Sequence, residues 1–183
     1  MPFLKTDIPD LLIFEPVVYT DNRGYFFESY NEQTFLKEGI GNRFVQDNQS
    51  FSTYGVIRGL HYQLDPHAQT KLVRVLKGSI LDVAVDIRRS SKTFGKWVAV
   101  ELSAGNKRQF LIPRGFAHGF SVLSETAEVS YKCDRLYNKE SEAGIRFDDP
   151  RLGIDWKIPA GKAIISSKDL DLPLFADCRN NFQ

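Results

Sequence analysis

The sequence has few cysteines, few histidines, no excess of either charge and no long apolar run. Only Cys133 and Cys178 occur in 183 residues. Two thiols rule out a disulfide framework and leave a hydrophobic core as the source of stability, which a chain of this length can build. They are read as free thiols in a reducing compartment. The formal net charge is +1, so the chain has no broad basic surface for a nucleic-acid polymer, and any anion must be held by local arginines. Lys5, Asp7, Asp10 and Glu15 interrupt the first twenty residues. No secretory leader and no membrane span is expected, and the reading is a soluble cytoplasmic protein.

Aromatic residues, by contrast, are plentiful: 14 Phe and 7 Tyr. Rings favour strands, and the hydrophobic pattern agrees. Leu12–Tyr19 reads as a strand ending at the turn Thr20-Asp21-Asn22-Arg23-Gly24, and Tyr25–Tyr30 as a second strand. Asn31 reads as the N-cap of a short helix that stops at Gly39. Beyond Arg43 the period is close to two, with strands expected at Phe44–Phe51, Val56–Gln63, Lys71–Leu76, Ile80–Ile87, Trp97–Leu102, Phe110–Ile112 and Glu128–Cys133. Glycines punctuate them, which suggests an all-β sandwich or barrel forming one domain over residues 1–183. From about residue 138 the chain turns irregular, with Pro150, Pro159 and Pro173, and reads as a loop-rich tail packing back on the barrel.

Chemistry can be sought around three histidines, His61, His67 and His118. His67, beside Pro66 in a polar loop, reads as a surface residue. In Arg58-Gly59-Leu60-His61-Tyr62-Gln63, alternation places Gly59, His61 and Gln63 on one face. Arg58 leaves from the other face unless a bulge at Gly59 turns it inward, which glycine permits. Pro113-Arg114-Gly115-Phe116-Ala117-His118 resembles the second motif of cupins, small barrels that often hold a metal. The first cupin motif needs His-x-His and a nearby Glu, whereas His61-Tyr62-Gln63 supplies one histidine and no Glu occurs between Gln63 and Lys77. A metal site is therefore not expected. An ordered imidazole without a metal suggests proton transfer. Asp169, Asp82 and Asp86 are all candidates to orient it, and Lys71 and Tyr131 lie on strands from which either could point inward.

The chain resembles the dTDP-4-dehydrorhamnose 3,5-epimerase family along nearly its whole length. The resemblance is carried by Asp21-x-Arg23-Gly24-x-Phe26-Phe27-Glu28-Ser29-Tyr30-Asn31, Phe44-Val45-Gln46-Asp47-Asn48, Arg58-Gly59-Leu60-His61-Tyr62-Gln63 and Gln69-x-Lys71-Leu72-Val73-Arg74. It continues through Asp82–Arg88, Thr93-Phe94-Gly95-x-Trp97, Pro113-x-Gly115-Phe116-Ala117-His118-Gly119-Phe120 and Gly153-Ile154-Asp155-Trp156. It implies a double-stranded β-helix (jelly-roll, cupin-like) barrel with a few short helices, no metal, no cofactor, and a homodimer exchanging its N-terminal strands. The implied substrate is a dTDP-4-keto-6-deoxyhexose, epimerised at C3 and C5 by proton removal and return beside the ketone.

By the same resemblance His61 is the base, Asp169 its orienting carboxylate, Lys71 the cation at the ketone oxygen, and Tyr131 the acid on the opposite ring face. Arg23 and Arg58 would contact the diphosphate. Glu28, Gln46 and Asn48, with Asp47 in the same run, would order the nucleotide end, Phe26 would be a substrate-binding residue near the strand exchange, Tyr137 would stack on thymine, and His118 would bond near the sugar. Glu142 and Lys168 match further contact positions. Departures from the family pattern fall at Gln49-Ser50 and Phe147-Asp148-Asp149. The alternatives are an epimerase of C3 alone, a metal-dependent cupin oxygenase, and a nucleotide-sugar-binding cupin without catalysis.

Overall fold

In the computed structural model, which describes residues 2–183, two antiparallel sheets face each other as a jelly-roll barrel. The first sheet contains β1 (Phe3–Lys5), β2 (Leu12–Phe14), β5 (Gln46–Thr53), β7 (Lys71–Lys77), β10 (Gln109–Ile112) and β12 (Thr126–Cys133), in the order β1-β2-β10-β7-β12-β5. The second contains β6 (Ile57–Gln63), β8 (Ser79–Asp86), β9 (Trp97–Ser103), β11 (Phe116–Val122) and β13 (Glu142–Gly144), in the order β13-β6-β11-β8-β9. A separate ribbon pairs β3 (Tyr19–Asp21) with β4 (Gly24–Phe26). Two short helices, α1 (Glu32–Lys37) and α2 (Ser167–Leu170), complete the fold.

The interior is filled where period-two alternation points apolar side chains inward: Val73, Val75, Ile80, Ala84, Phe110, Phe120, Val122 and Val129 among others. The outer face of the second sheet is also covered. Leu81, Val83, Val85 and Ala117 pack under Ile145, Leu152, Trp156, Phe175 and Phe182 of the tail. With both faces covered, β8 is buried from Ile80 to Asp86. The tail has little secondary structure, and side chains satisfy its backbone instead. Asp149 accepts the N–H groups of Arg151, Leu152 and Phe175 at 2.8, 3.0 and 2.7 Å, and Trp97 Nε1 donates to Leu152 O at 2.8 Å.

Helix α1 starts where expected, with Asn31 Oδ1 accepting from the N–H groups of Gln33 and Thr34. It buries Phe35 against Phe14, Leu72 and Leu111 on the outer face of the first sheet. The two expected N-terminal strands are shorter than the pattern suggested. Pro16 has no N–H to donate to a ladder, and β2 ends at Phe14 while β3 begins at Tyr19. The second stops at Phe26, because within this chain the ribbon pairs with nothing but itself. Val17, Tyr19, Tyr25 and Phe26 are left exposed. Both cysteines are free thiols.

Candidate active site

The site grows out of a bulge in β6. His118 on β11 lies opposite His61, and Phe120 lies opposite Arg58, so Gly59 and Leu60 together face Gly119. One extra residue reverses the alternation, and Arg58 and His61 both turn into the barrel. Glycine is required here. Gly59 has φ +112°, and a Cβ on it would sit 2.7 Å from both Gly119 Cα and His118 O. The two side chains line a cavity of about 510 Å³ with Lys71, His118, Tyr131, Lys168 and Asp169.

His61 Nε2 lies 2.7 Å from Asp169 Oδ1. Asp169 is fixed from three sides. Its other oxygen accepts the Gly59 N–H at 3.2 Å, its own N–H donates to Ser166 Oγ at 3.1 Å, and Ser166 caps α2. Burial alone would raise the Asp169 pKa, but the bonds from His61, Gly59 and Ser166 outweigh it and hold the carboxyl below its ordinary range. The His61 side chain keeps 33% of its surface exposed toward the opening, whereas Asp169 keeps 6%.

The facing sheet supplies the other groups. Lys71 begins β7 and Tyr131 lies on β12, with the Lys71 ammonium 5.8 Å from the centre of the Tyr131 ring. Burial pushes the Lys71 pKa down, and Cys133, Asp82 and Glu142 act against that shift. Burial pushes the Tyr131 phenol up. His118 is buried, with Nε2 2.7 Å from Asp82 Oδ1, and burial lowers its pKa despite that carboxylate.

A second recess of about 320 Å³ shares His61, Lys71 and Tyr131 with the first and adds Gln46, Asn48, Tyr137 and Glu142. Gln46 Oε1 accepts the Tyr137 N–H at 3.0 Å, and Gln46 Nε2 donates to Asn48 Oδ1 at 3.0 Å. Glu142 joins the recesses by accepting from Lys168 Nζ at 2.7 Å and from Tyr137 Oη at 3.0 Å. Burial would raise the Glu142 pKa, but these two bonds bring it below its usual value.

Four sequence candidates lie elsewhere. Asp47 points to the opposite face of β5, where it meets Lys132 at 3.0 Å; alternation excludes it from a wall that holds Gln46 and Asn48. Arg23 is exposed on the ribbon and bonded to Asp21, Phe26 is 67% exposed, and Glu28 accepts from Asn31 Nδ2 at 3.0 Å. None of these three lines the cavity of its own chain. Of the three aspartates considered as orienting partners, Asp169 holds His61 and Asp82 holds His118. Asp86 ties down the end of β8 through Arg88, Ser91 and Thr93.

Sequence reasoning missed Ser50, which lines the cavity, and Ser52, whose Oγ accepts Arg58 Nε at 3.0 Å. The alternation Gln46, Asn48, Ser50, Ser52 along β5 was the signal for both. Among the described residues no group of three or more His, Cys, Asp or Glu side chains is placed to hold a metal ion.

Comparison with known proteins agrees with this geometry. The family profile described as dTDP-4-dehydrorhamnose 3,5-epimerase matches residues 5–177. The dTDP-4-dehydrorhamnose 3,5-epimerase of Shigella flexneri is 55% identical over 179 residues, covering 97% of each chain. The crystal structure of the Legionella pneumophila dTDP-6-deoxy-D-glucose-3,5-epimerase, in complex with dTDP-4-keto-L-rhamnose, superposes with TM-score 0.92 at 50% identity, covering 96% of this chain and 93% of that one. A 3'-monoepimerase from Streptomyces bikiniensis, in complex with dTDP-quinovose, is more distant, at 31% identity and TM-score 0.86 over 94% of this chain and 87% of that one. With the family profile spanning almost all of its length, the chain belongs to the dTDP-4-dehydrorhamnose 3,5-epimerase family.

Proposed function

We propose that the chain converts dTDP-4-dehydro-6-deoxy-D-glucose to dTDP-4-dehydro-L-rhamnose by inverting C3 and C5. One observation carries this reading. A carboxylate-held imidazole on one sheet faces an ammonium and a phenol on the other, across a cavity large enough for a sugar. Inversion needs a proton taken from one ring face and another delivered to the opposite face, and the facing sheets supply both.

With Nε2–H donated to Asp169, the His61 lone pair lies on Nδ1. That nitrogen takes the proton from the carbon beside the ketone, giving an imidazolium balanced by Asp169 and an enolate on the sugar. Lys71 lies where its positive charge offsets the charge developing on the ketone oxygen. A preorganised donor of this kind commonly lowers the barrier by ~3–4 kcal/mol. The Tyr131 O–H then gives a proton to the far face of the same carbon, and solvent restores the protonation of both groups. Repetition at the carbon on the other side of the ketone completes the reaction.

Arg58, already aimed by Ser52 and by the Phe51 carbonyl, suits a diphosphate oxygen. Gln46, Asn48, Tyr137, Glu142 and Lys168 offer the polar and aromatic surface for the nucleotide end, and His118 lies at the sugar end. A homodimer in which the β3–β4 ribbon crosses to the partner would bring Arg23, Phe26 and Glu28 to the site. Among the described residues no helix is long and apolar enough to cross a membrane. The free thiols suit the cytoplasm.

The test is the reaction in heavy water with the 4-keto-6-deoxyglucose nucleotide. Deuterium is expected at both C3 and C5 of the product. Label at C3 alone would assign the chain to the monoepimerase reaction, and no label would remove the epimerase reading.

A further inference from the structure

The loop from Arg135 to Asn138 carries Tyr137 to the wall of the smaller recess, and no apolar anchor holds it there. From Arg135 to Ala143 no residue is buried, and Leu136 and Tyr137 are 65% and 54% exposed. Among the described residues, the backbone groups of Arg135, Leu136 and Tyr137 make no bond to another backbone group. Three glutamine amides take the place of such partners. Gln69 Nε2 donates to Arg135 O at 2.8 Å, Gln46 Oε1 accepts the Tyr137 N–H at 3.0 Å, and Gln63 Oε1 accepts the Asn138 N–H at 2.7 Å. A longer contact of 3.5 Å runs from Gln63 Nε2 to Leu136 O. Gln46 begins β5, Gln63 ends β6, and Gln69 lies on the connection between β6 and β7. The loop is therefore gripped from both sheets.

A primary amide suits this work. It carries a donor and an acceptor on one flat end, as a peptide group does, and so stands in for a neighbouring strand. Gln63 is the central one. It is buried, and its Nε2 also donates to His67 O at 2.6 Å. Gln63 lines the recess, yet its oxygen and its nitrogen are both engaged by the protein, so it acts on a ligand through the loop. The Tyr137 Oη bond to Glu142 at 3.0 Å orients the tip of the ring, while the glutamines set where its backbone lies. We infer that Gln63 is a positioning residue for nucleotide binding: with Gln46 and Gln69 it fixes the loop so that the Tyr137 ring stands ready as a platform for the base. This rests on the reading that Tyr137 serves the nucleotide end.

A platform set in advance spares the ligand the cost of ordering it. One that is in place only part of the time raises the apparent Kd by the inverse of that fraction. Gln63→Leu removes the amide and leaves an apolar side chain. With the loop in place for about a tenth of the time, the Kd for dTDP rises about tenfold, and that is the shift expected by calorimetry. KM should rise in parallel while kcat falls by less than roughly twofold. Inorganic pyrophosphate has no base to stack, so its Kd should stay within roughly twofold of the wild type. A loss shared equally by dTDP and pyrophosphate would show a general disturbance of the barrel and overturn the inference, as would an unchanged Kd for dTDP. Gln63→Leu added to Tyr137→Ala should weaken dTDP no further, because both act through one ring. A full additional loss is fatal to the inference.

The grip is also measured without a ligand. The Tyr137 N–H is bonded to Gln46 and not to Gln63, so its hydrogen exchange speeds up in Gln63→Leu only if the loop is held as one unit. An unchanged rate overturns the inference. If the wild type binds no dTDP, the nucleotide reading fails while this rate still decides whether Gln63 holds the loop. Should Gln63→Leu not fold, Gln69→Ala releases the other end of the loop. It must raise the Kd for dTDP about threefold, the usual effect of one hydrogen bond, with pyrophosphate unmoved. An unmoved Kd for dTDP in that variant counts equally against the inference.

Discussion

If His61 is the base, as proposed, replacing it removes the atom that takes the proton. His61→Ala is expected to lower deuterium exchange at both carbons together by at least roughly 10²–10⁴-fold, the contribution usual for a positioned base. Affinity for dTDP, measured by calorimetry, should hold, because the proposed role of the imidazole is at the sugar and not at the nucleotide. Asp169→Asn is subtler. The amide can satisfy the imidazole by donating to Nε2, which moves the ring proton to Nδ1 and hides the lone pair from the substrate. Loss of kcat without loss of binding is expected. Asp169 also links stability to pH. Its carboxyl is held below the ordinary range by His61, Gly59 and Ser166, so it favours the folded state fully above the unfolded carboxyl value of about 3.9, and that contribution is lost as pH falls through the folded value. Thermal melts of the wild type and Asp169→Asn should therefore converge as pH drops from 5 to 2. A gap that widens on acidification would contradict the assignment. These two residues lie 108 positions apart in sequence, and no local pattern joins them, which is why composition and spacing left Asp169, Asp82 and Asp86 open as partners.

The bulge in β6 and the cap of α2 are the two local devices that bring such distant residues together. Gly59→Ala forces a Cβ to within 2.7 Å of the backbone of β11 at a positive φ. A loss of about 3 kcal/mol or more is expected from strain and crowding together, with Arg58 and His61 no longer sharing a wall. Urea unfolding checks the first effect and the exchange assay the second. Ser166→Ala removes the cap whose hydroxyl accepts the Asp169 N–H. It should cost about 1 kcal/mol and reduce kcat more than it changes KM, since Asp169 acts through His61. The legible elements are those whose pattern and chemistry agree. Strands β7, β8 and β12 alternate, and α1 has Asn31 before it and Gly39 after it. Strand β11 is not among the strands the pattern predicts, because Gly115 and Gly119 interrupt its hydrophobic run. Strand β13 is three residues long and exists through its pairing with β6. The bulge was legible as a possibility at Gly59, but only the register of β11 determines that it forms.

At the scale of the molecule, the ribbon of β3 and β4 stands apart from a barrel that is otherwise well covered. A two-stranded ribbon is at best marginally stable alone in water, and this one exposes Tyr19, Tyr25 and Phe26, with Val17 and Val18 exposed just before it. An apolar surface of that kind is what a second copy of the chain would cover in the proposed dimer. The ribbon also carries Arg23 and Phe26, which do not reach the cavity of their own chain. Exchange between two copies answers both observations, because each ribbon would gain a neighbouring sheet and each cavity would gain the missing cation. Sedimentation equilibrium should then give twice the chain mass, and Phe26→Asp should shift it toward one chain while raising KM. A mixing experiment separates exchange from simple side-by-side association. Arg23→Ala and His61→Ala would each be nearly inactive alone. If Arg23 serves the partner's site, a mixed dimer holds one doubly damaged site and one with both residues intact. Half of the dimers in an equal mixture refolded together are mixed, and half of their sites work, so activity should return to about a quarter of wild type under twofold symmetry. If Arg23 serves its own chain, every site in the mixture keeps one defect and no activity returns.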